Sequence, residues 1–338
     1  MSRLVTTSVV GSHAFPGWLF LGDAAATRGD LGADDKQELI HDAITVAVED
    51  QQRAGVDVIT DGEMSRLDFN LGFYQHFENI EPVAAGRQLG APAHDQRGRY
   101  RMLGEISAPR GLGAVDDFLY LKGIARTDVK ACLPGPFTLS GRLIPDDRYP
   151  DRMAITEALI PIVRAECEAL IAEGADFLQI DEPSFSVYPD RIGEYVDIFN
   201  RTVEGLDAKI ATHLCFGNYR ARAVGRRRYG PLFPMAMEMR VDQFVLEFAS
   251  REFAELDLIA EIGRDREVAI GVVDVKNLWI EQVEEIVARI ESALKLVPPE
   301  KLTVVPDCGF SQTARWAAVR KLQAMVEAAR VVRTRLAG

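Results

Sequence analysis

The chain has 338 residues, of which 47% are hydrophobic, and this is enough to bury a large core. The 51 acidic and 39 basic residues give a net charge of −12, which argues against nucleic acid and anionic membranes as partners, because both favour a basic surface. The N-terminus lacks the apolar segment of a signal peptide, and no apolar run approaches the ~18 residues that span a bilayer. We therefore expect a cytoplasmic protein whose four cysteines are thiols rather than a disulfide framework.

Eight short β-rich runs recur along the chain, and most are followed by a stretch with helical periodicity. In chain order the runs are 4–10, 56–60, 129–134, 175–180, 208–214, 242–248, 267–273 and 301–306. The helical stretches 34–55 and 152–174 each end in glycine, as helices often do. Apolar strands that alternate with amphipathic helices are typical of a parallel sheet covered by helices. We predict an α/β fold, a (β/α)8 TIM barrel that forms a single domain over 1–338, with a doubly wound open sheet as the alternative.

Two stretches depart from this alternation. The sequence of residues 79–126 interrupts the alternation of strands and helices and predicts an insertion that contains a β-hairpin. Residues 22–32 (GDAAATRGDLG) are expected to lack regular structure and to form a lid over a site.

Polar residues follow most of the predicted strands, and active sites of barrels lie at those ends. His213 and Cys215 end the fifth strand, Glu247 ends the sixth, and Cys308 follows the eighth. Residues i and i+2 of a strand face the same side, so His213 and Cys215 are expected to point together. Two thiolates, an imidazole and a carboxylate favour Zn²⁺ over Mg²⁺ or Ca²⁺. The His-x-Cys pair alone is compatible with a core position, and it is Cys308 in the same register that favours a metal site.

Seven motifs carry a resemblance to a known family. They are VGS (10–12), DGE (61–63), GPFT (135–138), QIDEP (179–183), THLC (212–215), LEF (246–248) and PDCG (306–309). In this order they resemble the catalytic C-terminal barrel of cobalamin-independent methionine synthase and its short stand-alone relatives, which transfer methyl or alkyl groups to thiols at zinc. The resemblance spans nearly the whole chain.

The resemblance implies roles for individual residues. The positions that match the zinc ligands of the family are His213, Cys215, Glu247 and Cys308. Glu63 and Asp181 match acids that bind the amino group of homocysteine, and the turn Gly11–Ser12 matches the contact to its carboxylate. The implied reaction is transfer of a methyl group to the thiol of homocysteine, which forms methionine. Because a thiol of pKa ~8.5 is mostly protonated at neutral pH, zinc would supply the thiolate, and Glu247 is the ligand expected to yield to the incoming sulfur.

The chain departs from the family in ways that concern the methyl donor. The N-terminal barrel of the long enzyme has no counterpart in this sequence, and the Trp that there stacks on the pterin is absent from GPFTLSGRLIPDD (135–147). Asp274 and Lys276 are the candidate catalytic residues, and Lys276 stands where the family has a histidine that protonates the departing folate nitrogen. A lysine does so near pH 7 only if its pKa is lowered. The donor is therefore a folate or a methylcorrinoid, and simple methyltetrahydrofolate is expected to be a poor one.

Five arginines lie from Arg220 to Arg228, in the loop that follows Cys215. One hypothesis is that they capture an anionic tail or an acidic carrier protein, and the other is a solvated face balanced by neighbouring acids. Two alternatives to the homocysteine reaction stay open. One is a zinc-dependent alkyltransferase that acts on another thiol, such as epoxyalkane:coenzyme M transferase, and the other is a zinc- or thiol-binding sensor without catalysis. Glu63 and Asp181 favour homocysteine, because a sulfonate thiol has no ammonium group for them to bind.

Overall fold

The computed structural model describes residues 3–67, 69–83, 98–218 and 222–338. These residues divide into two compact units. The first unit consists of Met1–Phe69, Asp117–Lys130 and Gln243–Gly338, and the second of Asn70–Asp116 and Ala131–Asp242. A single domain over 1–338 stays a prediction.

The strands of the described residues are β1 (Thr6–Thr7), β2 (Val58–Ile59), β3 (Glu78–Val83), β4 (Arg99–Ser107), β5 (Asp128–Val129), β6 (Ala131–Pro134), β7 (Leu143–Ile144), β8 (Phe177–Asp181), β9 (Lys209–Leu214), β10 (Gln243–Leu246), β11 (Glu267–Val273) and β12 (Leu302–Pro306). The α-helices are α1 (Gly17–Arg28), α2 (Ala33–Ala54), α3 (Ala114–Ile124), α4 (Pro136–Ser140), α5 (Arg152–Ala172), α6 (Pro183–Val187), α7 (Ile192–Val203), α8 (Leu258–Asp265), α9 (Val283–Leu294) and α10 (Arg315–Ala337). None of these described helices is long and apolar enough to cross a membrane.

The predicted alternation of strands and helices is confirmed. Each of the eight predicted runs overlaps a strand, and the run 129–134 contains β6 and the last residue of β5. The helices predicted at 34–55 and 152–174 are α2 and α5. Gly55 follows α2 in the left-handed region (φ 86°), where glycine lacks the steric penalty of a side chain. The predicted α/β class is therefore confirmed, and the succession of strands and helices in the described residues is the one expected of a (β/α)8 barrel.

The first unit is built on a parallel sheet with the strand order β10, β11, β12, β1. A bridge from Ser8 to Val58 extends the pairing to β2, which pairs in parallel with β5. The residues of β10, β12 and most of β11 are buried, as expected for strands covered by helices. Because parallel strands share one carboxyl edge, the loops after them emerge together and carry the motifs VGS, DGE, LEF and PDCG.

The second unit contains a parallel sheet with the strand order β6, β8, β9. Its register pairs Asp181 at the end of β8 with His213 on β9. Helices α4 and α7 pack against α5 in this unit. The motifs GPFT, QIDEP and THLC all lie at the carboxyl ends of its strands.

The hairpin predicted within 79–126 is confirmed: β3 and β4 pair antiparallel, and β7 adds to β4 in parallel. Residues 84–97 between them lie outside the described residues. Residues 114–124 form α3, so the hairpin accounts for the first part of the predicted insertion and a helix for its last part.

The loop predicted at 22–32 is wrong over most of its length, because α1 continues through it to Arg28. Ala24, Ala25 and Ala26 are strong helix formers and favour this outcome. The helix ends at Gly29, which has a φ of 81°. Leu19 is its one buried residue among those described, so the helix lacks the amphipathic period by which a helix is recognised in a sequence.

Candidate functional site

His213 and Cys215 lie together at the end of β9 in the second unit. Both side chains are buried, and a ring nitrogen of His213 and the Cys215 sulfur lie within 4.8 Å of each other. Two ligands of a tetrahedral zinc lie roughly 3.5 Å apart, given the usual Zn–N and Zn–S bond lengths. The expectation that the two side chains point together is met, and the pair is compatible with a shared metal.

Asp181 orients the His213 ring from the neighbouring strand. Its Oδ1 lies 3.5 Å from Nδ1 of His213, and it also accepts a hydrogen bond of 2.7 Å from Nε2 of Gln179. With Nδ1 directed at a carboxylate, a metal would be bound through Nε2. Carboxylates that contact the second nitrogen of a histidine ligand in this way fix its orientation and raise its basicity.

Glu182, the next residue of the QIDEP motif, holds the GPFT motif in place. Its fully buried carboxylate accepts hydrogen bonds from the backbone N–H groups of Phe137 (3.0 Å) and Thr138 (2.9 Å). A Cβ on Gly135 would lie 2.2 Å from Oε1 of Glu182, so this close approach requires glycine. Burial raises the pKa of Glu182 to about 7, even though the hydrogen bonds from Thr138 and Phe137 lower it. The sequence shows Glu182 beside Asp181, but nothing in it assigns the contact to GPFT.

Glu63 lies against the VGS turn in the first unit. A Cβ on Gly11 would lie 2.2 Å from Oε1 of Glu63, which explains the glycine at this position. The same oxygen is 3.1 Å from the Arg66 guanidinium, and both side chains are buried. Glu63 adopts the left-handed conformation (φ 59°), and its backbone N–H donates to Asp61 at 3.1 Å. The structure therefore brings together the predicted substrate residues Gly11 and Glu63.

The turn with Cys308 packs on the turn with Ser12. The backbone N–H of Phe310 donates to the Ser12 carbonyl oxygen at 2.8 Å, and the N–H of Ser311 donates to the Ser12 hydroxyl at 3.3 Å. A Cβ on Gly309 would lie 2.0 Å from that hydroxyl. The motifs VGS and PDCG, at opposite ends of the sequence, thus form one surface of the first unit, with Cys308 partly exposed.

Glu247 is a fully buried carboxylate at the end of β10. Nζ of Lys276 and Oγ of Ser250 both donate to its Oε1, at 2.7 and 2.5 Å. Lys276 is itself only 6% exposed. The structure thus places Lys276, one of the two candidate catalytic residues, in an ion pair with a candidate zinc ligand.

Asp274, the other candidate catalytic residue, shapes the turn that presents Lys276. Its Oδ1 accepts the backbone N–H of Lys276 at 2.7 Å, and its Oδ2 accepts the side-chain amide of Asn277 at 2.6 Å. Its own N–H donates to the buried Glu281 at 2.8 Å. These contacts fix the backbone of the turn.

Asp307 ties the LEF and PDCG motifs together. It accepts the backbone N–H groups of Phe248, Ala249 and Ser250 at 2.9, 2.8 and 2.5 Å. Burial and then the Glu247 carboxylate raise the pKa of Asp307 to about 7, although Lys276 and these backbone groups lower it. The sequence placed Asp307 at the strand end but gave no reason for an acid there.

A cluster of charged residues beside the VGS motif was also missed. Asp50 on α2 accepts hydrogen bonds from Nε2 of His13 (3.0 Å) and from Arg315 (2.6 and 2.8 Å). Burial alone would raise the pKa of Asp50, but the hydrogen bonds from His13 and Arg315 lower it to about 2. The three residues are far apart in sequence, so no local pattern could have indicated them.

The arginine-rich loop is described from residue 222 onward, and Arg220 lies outside the described residues. Arg222, Arg226, Arg227 and Arg228 are exposed. The buried Tyr229 anchors the loop, since its hydroxyl donates to the Leu214 carbonyl oxygen at 2.9 Å, one residue from Cys215. Capture of an anion by this loop stays a prediction.

The whole chain is similar to known proteins. The family profile described as "Cobalamin-independent synthase, Catalytic domain" matches residues 4–331. The methionine synthase of Pyrococcus abyssi is 32% identical over 334 residues, which cover 98% of this chain and 94% of that protein. The methionine synthase of Saccharolobus solfataricus is 30% identical over 334 residues, which cover 98% and 96%.

A solved structure gives the same result. A B12-independent methionine synthase from Shewanella sp. W3-18-1, in complex with selenomethionine, is 27% identical and covers 99% of both chains, with a TM-score of 0.84. The resemblance inferred from the seven motifs is therefore confirmed. The chain belongs to the cobalamin-independent synthase family and corresponds to its catalytic domain.

Proposed function

We propose that the chain is a zinc-dependent methyltransferase that transfers a methyl group to the thiol of homocysteine and forms methionine. Its relatives named methionine synthase match along 94–96% of their length. The related Shewanella protein binds selenomethionine, the selenium analogue of this product. The observation that carries the proposal is the buried pair His213 and Cys215, oriented by Asp181, at the end of β9.

The zinc ligands in this proposal are His213, Cys215, Glu247 and Cys308. The donor chemistry fits, since two sulfurs, one nitrogen and one carboxylate oxygen are a typical mixed set for zinc. Once bound, zinc lowers the pKa of the substrate thiol, so that the nucleophilic thiolate exists at neutral pH. Asp181 holds the His213 ring in the orientation for binding, and Lys276 and Ser250 hold Glu247.

Homocysteine is the proposed acceptor because two acids are present for its ammonium group. Glu63 and Asp181 provide the negative charge, and the Gly11–Ser12 turn receives the carboxylate. Arg66 holds Glu63 in one rotamer, so little conformational entropy is lost when the ammonium binds. An alkyltransferase for coenzyme M, which carries a sulfonate and no amine, would have no use for these acids.

A folate is the proposed methyl donor. The family is described as cobalamin-independent, which supports a folate over a methylcorrinoid. The methylcorrinoid alternative rests only on Lys276 in place of a histidine. We assign the reaction to the cytoplasm, because a site with two cysteine ligands requires a compartment that keeps thiols reduced.

The proposal is tested by measuring zinc content and thiol methylation on the purified protein. We expect about one zinc per chain and methyl transfer to homocysteine but not to coenzyme M. The matched control is Cys167→Ala, which removes a buried cysteine on α5 and should leave zinc content unchanged. Protein that contains no zinc and does not methylate homocysteine with any of methyltetrahydrofolate, its polyglutamate form or methylcobalamin would contradict the proposal.

A further inference from the structure

Lys276 forms a buried ion pair with Glu247, which is itself a candidate metal ligand. Lys276 Nζ lies 2.7 Å from Oε1 of Glu247, and the two side chains are 6% and 0% exposed. Ser250 donates to the same oxygen. Two donors therefore hold the Glu247 carboxylate by its Oε1.

The position of the Lys276 ammonium is fixed by its surroundings. The Asp274 carboxylate binds the backbone N–H of Lys276, and the Thr313 hydroxyl donates to the Val275 carbonyl oxygen at 3.0 Å. Nζ of Lys276 donates to Glu247, and the nearby Asp307 carboxylate accepts three backbone N–H groups. The ammonium is therefore directed at Glu247 and is not mobile in solvent.

A cation so placed has two opposite effects on a metal site. It repels a divalent ion and reduces the negative charge that Glu247 offers, so it weakens metal binding. It also stabilises Glu247 as an anion when that carboxylate is not bound to the metal, so it favours any ligand that takes the place of Glu247.

We propose that Lys276 is a positioning residue that sets the strength with which Glu247 binds the metal and retains that carboxylate when the substrate thiol takes its place. In this exchange one zinc–sulfur bond would form, one zinc–oxygen bond would break, and the thiol proton would leave to bulk water. The inference rests on the proposed function. It gives Lys276 a role that differs from proton donation to a folate nitrogen.

The test is to measure two binding constants in Lys276→Met. The zinc constant comes from competition with a chelating dye, and the homocysteine constant from calorimetry on the zinc-loaded protein. We expect zinc to bind roughly tenfold more tightly and homocysteine roughly tenfold more weakly than in the wild type. A loss of folding would weaken the binding of both zinc and homocysteine, so opposite changes in the two constants cannot result from it.

Three controls sharpen the result. Lys276→Arg keeps the charge and should keep both constants near those of the wild type. Arg333→Met removes the cation from another partly buried pair, with Asp57 at the amino ends of the strands of this unit, and should leave both constants unchanged. Homoserine, which has a hydroxyl in place of the thiol, should bind the wild type and Lys276→Met equally.

Unchanged or weakened zinc binding in Lys276→Met would overturn the inference, as would unchanged homocysteine binding. These results leave the proposed function intact, because it requires only that the wild type binds zinc and methylates homocysteine. A wild-type protein that binds no zinc would instead overturn the proposed function and this inference with it.

Discussion

Glu182 and Thr138 are joined twice: the backbone N–H of Thr138 donates to Oε2 of Glu182 at 2.9 Å, and its hydroxyl donates to the same atom at 2.6 Å. The adjacent acids Asp181 and Glu182 of the QIDEP motif therefore have different structural roles. Asp181 faces the candidate ligand His213, whereas Glu182 links β8 to the start of α4. Glu182 thus holds the loop at the start of the GPFT motif, where Gly135 leaves room for its carboxylate.

We expect Glu182→Gln to lower the free energy of unfolding by about 1–3 kcal/mol, because the amide group would face the N–H donors that the carboxylate now accepts. Urea denaturation measures this change. Thr138→Val, which removes only the hydroxyl donor, should cost less. Equal stability of Glu182→Gln and the wild type would show that the hydrogen bonds of the Glu182 carboxylate do not stabilise the fold.

The lowered pKa of Asp50 predicts that the free energy of unfolding depends on pH. Its pKa falls from the ordinary 3.8 to about 2 in the folded protein, so the carboxylate stabilises the fold above pH ~4, and this contribution is lost as the pH falls toward 2. The shift sets an upper limit of about 2 kcal/mol, and solvent around the half-exposed Arg315 screens the interaction and lowers this figure. Asp50→Asn should therefore be less stable than the wild type at pH 7, and the difference should narrow below pH 4. Asp30→Asn, in an exposed ion pair with Arg28, is the control and should change little. A stability difference between Asp50→Asn and the wild type that stays constant from pH 7 to pH 3 would argue against stabilisation by the Asp50 carboxylate.

Cys308→Ser tests the sulfur ligand of the first unit. We expect at least ~10-fold weaker zinc binding, because a hydroxyl is a poor replacement for a thiolate on zinc. Metal content after dialysis against a chelator gives the measurement, with Cys167→Ala as the control. Full zinc occupancy and full activity in Cys308→Ser would remove Cys308 from the proposed ligands.

Glu63 and Asp181 should differ when each is changed to its amide. Glu63→Gln removes one charge for the substrate ammonium and should raise the KM for homocysteine roughly 10- to 100-fold with zinc binding unchanged. Asp181→Asn should raise the KM and also weaken zinc binding, because Asp181 orients His213. A des-amino thiol that reacts as well as homocysteine with the wild type would favour an acceptor without an amine.

The methyl donor can be tested with a matched pair of folates. Because Lys276 is paired with Glu247, we expect methyltetrahydrofolate with a single glutamate to turn over well below ~1 s⁻¹, since general-acid assistance contributes roughly 10²–10⁴ in rate. The polyglutamate form and methylcobalamin are compared in the same assay. If the arginines near 222–228 bind an anionic tail, the advantage of the polyglutamate form should shrink as salt rises. Turnover near ~1 s⁻¹ with the single glutamate would contradict the expectation.

The sequence by itself determined the repeating strands and helices and the edge at which the site residues lie. Apolar runs and helical periodicity reflect burial, and burial is a local property of each element. Alternation along a strand was enough to pair His213 with Cys215, because both belong to β9 and its immediate end. The motifs then identified the family.

Tertiary structure alone decided which partners the charged residues have. Lys276 contacts Glu247, 29 positions away, Glu182 contacts Thr138 across 44, and Arg315 contacts Asp50 across 265. No period or spacing encodes such pairs, since they depend on which loops and helices meet in the folded chain. The sequence marked Lys276 as a candidate catalytic residue but could not show Glu247 beside it, because an ion pair between distant residues exists only after the strands have aligned.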